Sequence, residues 1–285
     1  MKYSESIHLL SLAVKRPDAW PDQFPYNVPI IKTLSTIEFT SQVTFFVGEN
    51  GCGKSTFLEA IACAAGSTTV GSESVVTDQS LAALRLLARD FRLTWSKKTR
   101  RGFFMRAEDF FGFARKMVST REGLQENLAE VERDYAGRSE TARQYGRLPY
   151  LSELGAMRRE YGERDLEAHS HGESYLALFE ARFVPGGLYL LDEPETPLSP
   201  LRQLSFLVML KKMAAQNAQS IIATHSPILM AFPGAVIYNF DRGKIERINY
   251  EDIEHVRITK AFLENPERYL KYLFEDNPTQ DKQDR

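Results

Sequence analysis

The stretch Phe45 to Thr56, FFVGENGCGKST, restricts what this chain can fold into more than any other part of it. Gly48-Glu49-Asn50-Gly51-Cys52-Gly53-Lys54-Ser55 satisfies the pattern GxxxxGK[ST] at every position, and Thr56 follows. Glycines let a backbone turn its N–H groups around an anion, and a helix starting directly afterwards adds the positive end of its dipole. Lys54 is then placed to reach the β- and γ-phosphates of a nucleotide, and the Ser55 hydroxyl to coordinate Mg²⁺. The setting is the one such a loop needs. QVTFFV precedes it as a short buried strand, and KSTFLEAIACAA follows with Phe57, Ile61 and Ala64 on one helical face, ended by Gly66. Cys52 admits two readings, a thiol activated by the helix start or a small filler in the loop; without a resolving cysteine nearby, the filler is preferred.

Strands and helices alternate through the rest of the chain, which predicts an α/β fold with a largely parallel sheet. IHLLSLAV and LSTIEF read as strands and SLAALRLLARDF as a helix. FRLTWS and RGFFMRA read as two strands joined by a basic hairpin turn, KKTRR. From Asp109 to Ala168 the character changes. GLQENLAEVERDY sets Leu124, Leu128, Val131 and Tyr135 at helical spacing among charges, Pro149 interrupts, and YLSELGAMRREYG resumes. These features predict one domain over 1–285 with a charged helical lobe inserted at 109–168 and a polar tail at 276–285. GGLYLLDEPE, QSIIATHSP and GAVIYNF are three further strands, each followed by loop chemistry.

Composition narrows the partners. The 36 basic and 38 acidic residues nearly cancel, so any charged surface must be local. Two cysteines make neither a zinc site nor a disulfide framework, which suits a reducing cytoplasm. No apolar run is long enough to span a bilayer, and IHLLSLAV is followed by KRPD, not by the small residues of a cleavage site.

The second half supplies the partners of the loop. The strand Leu188 to Leu191 ends in Asp192 and Glu193, and at the carboxyl end of a parallel strand such residues point to the ligand crevice. Asp192 can hold Mg²⁺ beside Ser55, and Glu193 can orient and deprotonate a water. An acidic surface turn closed by Pro194 is the plain alternative. The strand from Ser220 to Ala223 ends likewise at Thr224 and His225. HSHGES, His169 to Ser174, is on its own merits a polar helix cap.

Taken in order, VGENGCGKST, HSHGES, LLDEPE and ATHSP resemble the ATP-binding cassette (ABC) ATPases, above all the soluble branch of recombination-repair and SMC-like proteins and their small stand-alone AAA relatives. The resemblance covers most of the chain. It implies a P-loop NTPase fold with an antiparallel β subdomain, and hydrolysis of ATP with Mg²⁺, weak in the basal state. It makes Glu193, His225 and Lys54 the catalytic set. Ser170, Gly172 and Glu173 become the signature that contacts a nucleotide held by a second copy, hence an ATP-dependent homodimer. The chain departs from the family pattern at several places. His171 stands where a glycine is usual, Thr196-Pro197-Leu198-Ser199 lacks the usual aspartate, and no glutamine marks the Q-loop, for which Glu108 is the candidate as a further metal-site residue. Phe24 or Tyr26 is the candidate for stacking on adenine, and QFPYNVP suits packing on the core equally well.

Three functional classes stay open: an ATPase coupled to a protein effector or DNA in repair or defence, the nucleotide-binding subunit of a membrane transporter, and a slow nucleotide switch. GESYLALFEARF carries glutamate where transporter subunits usually have glutamine, which favours the first. Lys97, Lys98, Arg100 and Arg101 between Trp95 and Phe103 could grip nucleic acid or form a solvated turn.

Overall fold

The computed structural model describes residues 7–15, 21–70, 75–161 and 171–274. The chain runs β1 (Leu9–Val14), α1 (Pro29–Thr33), β2 (Thr36–Glu38), β3 (Val43–Val47), α2 (Lys54–Ala65), α3 (Ala82–Asp90), β4 (Phe91–Trp95) and β5 (Phe104–Arg106). The helices α4 (Ala107–Asp134), α5 (Glu140–Tyr161) and α6 (His171–Arg182) come next. It then continues through β6 (Leu188–Asp192), α7 (Pro200–Ala215), β7 (Gln219–Ala223), α8 (Pro227–Met230), β8 (Val236–Asn239), β9 (Glu246–Ile248), α9 (Glu254–Glu264) and α10 (Pro266–Phe274).

Two sheets result. The larger has the order β5-β6-β7-β3-β8-β9, parallel except for the antiparallel edge strand β9. The smaller, β2-β1-β4, is antiparallel. Both follow from burial. β3 and β7 are buried at every position, as strands covered on both faces must be, whereas β4 alternates between buried and exposed. Successive residues of β3 feed two cores. Phe46 packs with Phe57, Leu58 and Ile61 of α2 and with Leu9, Leu12 and Ile37 of the small sheet. Phe45 and Val47 face the other way, onto Phe206 and Leu210 of α7 and Tyr175 and Phe179 of α6. Helix α2 is thus enclosed between the two sheets, which fixes the loop that precedes it.

Two expectations change. FRLTWS and RGFFMRA are not a hairpin: β4 pairs with β1 in the small sheet, and β5 pairs with β6 in the large one. The basic stretch between them is a crossover, and it closes on Gly102. That residue has φ +98°, and a Cβ there would lie 1.9 Å from the Leu188 carbonyl oxygen, so only glycine fits. The crossover also removes the aromatic half of the nucleic-acid reading, because Phe103 is buried and Trp95 packs on the core beside β1. The second change is at Pro149, which interrupts nothing: α5 runs through it from Glu140 to Tyr161. α5 packs against α4, where Gly146 lets the two approach so closely that a Cβ would sit 2.9 Å from Val131. The tail beyond Phe274 lies outside the described residues.

Candidate functional site at the carboxyl edge of the large sheet

The register of the parallel strands decides which residues meet. Arg106, Asp192, Ala223, Phe46 and Tyr238 form one row across β5, β6, β7, β3 and β8. The residues just beyond that row therefore share a crest: Glu193 after β6, Thr224 and His225 after β7, and Gly48 after β3. With β7 lying between β6 and β3, the histidine stands between the acidic pair and the glycine loop.

The loop side is built from local geometry. Gly48, Gly51 and Gly53 all have positive φ. Gly53 caps α2 with φ +100°, and a Cβ there would press to 2.8 Å from Val28. No side chain caps this helix and its first turn carries no acid, so its free N–H groups and dipole remain available for an anion. Lys54 is buried, not solvent-facing as its loop position suggests; its Nζ donates to the carbonyls of Gly48 (2.8 Å) and Glu49 (2.9 Å). The loop is pinned from β8's end by Asp241, whose Oδ1 accepts the Glu49 N–H at 2.8 Å. Cys52 is a free thiol that burial pushes above the usual cysteine value, which favours the filler reading over the reactive one.

The acidic side is assembled over long sequence distances. The Ser55 hydroxyl donates to Asp192 Oδ1 at 3.0 Å. Burial, aided by the charges of Glu59 and Glu193, pushes Asp192 up to about 7, while the Ser55 bond and Lys54 oppose the shift. Glu193 adopts the left-handed conformation (φ 48°), which costs a non-glycine residue on the order of 1 kcal/mol. The turn continues the ladder, since the Glu193 N–H donates to the Ala223 carbonyl at 2.9 Å, and it brings Glu193 Oε1 to 3.7 Å from His225 Nε2. Burial, with the Lys54 charge, holds His225 below the usual histidine value, while Glu193 opposes the shift.

Residues 87–231, just over half of the chain, match the family described as AAA domain, putative AbiEii toxin, Type IV TA system. The chain belongs to this family. Residues 27–136, which include the glycine loop, match a second AAA domain family. The chain is 24% identical over 258 residues to the cobalt import ATP-binding protein CbiO of Salmonella typhimurium, covering 86% of this chain and 87% of that one. It is 21% identical over 224 residues to the nopaline permease ATP-binding protein P of Agrobacterium fabrum, covering 77% and 83%. Among solved structures, the Smc head domain of Pyrococcus furiosus bound to the C-terminal domain of ScpA is similar, with a TM-score of 0.44, 14% identity and coverage of 90% and 99%.

In this AAA-type P-loop ATPase domain, the other sequence candidates fare differently. Glu108 is 77% exposed and turns to Arg106 (3.6 Å), so it takes no part in the Ser55–Asp192 pair. Arg106 itself is held by Glu59, Asp78 and Asp109, tying the foot of α4 to the glycine-loop helix. Ser170 lies outside the described residues, and Gly172 and Glu173 fall in the first turn of α6. Tyr26 is taken into the core, its hydroxyl donating to Asp90 at 2.9 Å, which leaves the exposed Phe24 as the stacking candidate. Sequence reasoning passed over three residues. Asp241 pins the loop. His255 on α9 stacks edge-on against His225 (5.4 Å between centroids) and lies 3.3 Å from Glu49. Glu195 accepts the backbone N–H of His225 at 2.6 Å. Of these, only Glu195 had a signal, as the third acid of the run LLDEPE.

The site fits a hard divalent cation. A serine hydroxyl and a carboxylate short of positive charge face each other, and among the described residues no cluster of three or more His, Cys, Asp or Glu could hold a metal unaided. Two protein oxygens completed by phosphate oxygens and water is the habit of Mg²⁺. Among the described residues no helix is long and apolar enough to cross a membrane.

Proposed function

We propose that this chain binds Mg²⁺–ATP on the Gly48–Thr56 loop and hydrolyses it, with Glu193 as general base. The observation that carries the reading is the meeting, at one sheet edge, of the Ser55–Asp192 pair with the Glu193–His225 pair. On binding, Lys54 exchanges its two loop carbonyls for phosphate oxygens, and the free amides of α2 take the negative charge. Ser55 and Asp192 would hold the Mg²⁺, which when bound would neutralise phosphate charge. Glu193, 43% exposed where Asp192 is enclosed, faces the crest and takes the proton of the attacking water. His225 hydrogen-bonds a γ-phosphate oxygen through its Nε2–H.

The resemblance to ABC ATPases supports a two-fold homodimer, with Ser170, Gly172 and Glu173 of one copy closing on the nucleotide of the other. Closure would then be coupled to a protein effector, and the helix pair α4 and α5 is the segment proposed to carry it. A second reading, the ATP-binding subunit of a transporter, is supported by the names of the two relatives above. A membrane protein copurifying with the chain would favour it.

Steady-state phosphate release tests the hydrolytic reading. Glu193→Gln is expected to bind ATP like the parent and to lose a factor of about 10²–10⁴ in kcat. Parent-like turnover in that variant would remove Glu193 from the role.

A further inference from the structure

Two buried atoms at the crest have no hydrogen-bond partner: Glu195 Oε2 and His225 Nε2. The first is unexpected. A carboxylate withdrawn from water is costly to keep unless it holds something in place. Glu195 holds a good deal. Its Oε1 accepts the backbone N–H of His225 at 2.6 Å, and its carboxyl also takes the Thr224 hydroxyl. Thr224 Oγ1 in turn accepts the Ser226 N–H at 3.0 Å. Ser226 Oγ caps α8 through the Leu229 N–H and donates to Gln203 Oε1 of α7. Glu195 is the acid of this network, and it grips the loop after β7 at the residue whose imidazole faces Glu193.

We infer that Glu195 is a positioning residue of the hydrolytic site, clamping the loop after β7 so that the His225 ring faces Glu193 and the nucleotide; the inference rests on the hydrolytic reading above. The left-handed turn explains why two acids are needed. Glu193 points to the crest, buried Pro194 stiffens the turn, and Glu195, two residues on, takes hold of the opposite strand's loop. One short turn therefore carries both the base and the clamp, and the distance between base and histidine is set by the covalent spacing of the two acids. Burial pushes Glu195 above the usual carboxylate value, while its bonds from His225 and Thr224 oppose the shift. Without the clamp, the His225 N–H would be orphaned and the ring released from Glu193.

The test is a double-mutant cycle. Glu195→Ala is expected to lower kcat for phosphate release about 10- to 100-fold, with the KM for ATP within about threefold of the parent, the loss of one charged hydrogen-bond acceptor. Glu195→Gln, which keeps an acceptor oxygen for both donors, restores turnover to within about threefold. In a His225→Ala background, Glu195→Ala should cost less than about twofold, because a residue acting through His225 has nothing left to position. Equal losses in both backgrounds, or unchanged kcat in Glu195→Ala, would overturn the inference. A purely structural role would lower the melting temperature without that non-additivity. If the parent releases no phosphate, the hydrolytic reading fails and the clamp is judged without activity. The His225 ring resonances, assigned by their absence in His225→Ala, should shift in Glu195→Ala while those of His8, at the far end of β7, stay. Unmoved His225 resonances would then refute the clamp.

Discussion

The two halves of the crest are built differently. On the loop side the side chains already have partners, while the first amides of α2 stay free for an anion: Lys54 is bonded to two carbonyls of its own loop, and Asp241 pins Glu49. On the acidic side the groups are short of partners. Asp192 is pushed up to about 7, Glu193 sits in the left-handed region, and Glu195 and His225 keep buried unpaired atoms. Apart from Asp241, the first half is formed by residues close in sequence. The second is gathered from the ends of β6 and β7 with Ser55 of α2, and is held at a cost that a cation and a phosphate can relieve. The contrast separates preorganised binding from poised chemistry.

Substitutions can break or sharpen that contrast. The largest effect is expected for Lys54→Ala. Two charge-assisted bonds of about 1.5–3 kcal/mol each pass to the phosphates, so ATP affinity should fall at least ~10²-fold by calorimetry. A fall below tenfold would mean that Lys54 keeps its loop carbonyls when ATP binds. Asp192→Asn comes next, and its sign is opposite for the ligand-free protein. A carboxyl raised from 3.8 in the unfolded chain to about 7 on folding is neutral in both states below about pH 4, costs stability increasingly as pH rises from there to about 7, and carries the full cost above it. The ligand-free variant should therefore be more stable than the parent at pH 8, by on the order of 2–4 kcal/mol in urea unfolding, and equal to it near pH 4. A variant less stable at pH 8 would show that Asp192 is already paired. The smallest effect is expected for Asp241→Ala, which removes one acceptor from the loop. ATP affinity should weaken about 3- to 10-fold with kcat unchanged. A larger loss in kcat than in affinity would move Asp241 to the chemical half.

What the sequence disclosed divides along the same line. The glycine loop, the buried strand before it and the helix after it are contiguous, so motif and periodicity identify them together. Asp192, Glu193 and His225 were legible as strand ends because parallel strands aim such residues at one edge. Helix α7 carries Phe206, Met209, Leu210 and Met213 at helical spacing behind Pro200, a signal present in the sequence but passed over. The supposed hairpin failed because a strand's pattern does not name its neighbour: β4 and β5 are consecutive yet belong to different sheets. Lys54 and Tyr26 turned out buried because burial depends on what closes over a residue. Asp241 and His255 reach the site only through tertiary packing, and no local pattern marks them.

Calorimetry of Mg²⁺–ATP binding, in two buffers of different ionisation heat, tests most directly whether the acidic half receives the cation. Near pH 6 the parent should release about one proton per site more than Asp192→Asn, because the cation displaces the proton that a carboxyl with pKa about 7 still carries. Near pH 8.5 the difference should vanish. Equal proton release by parent and variant at both pH values would contradict the assignment of Ser55 and Asp192 as the metal–nucleotide site.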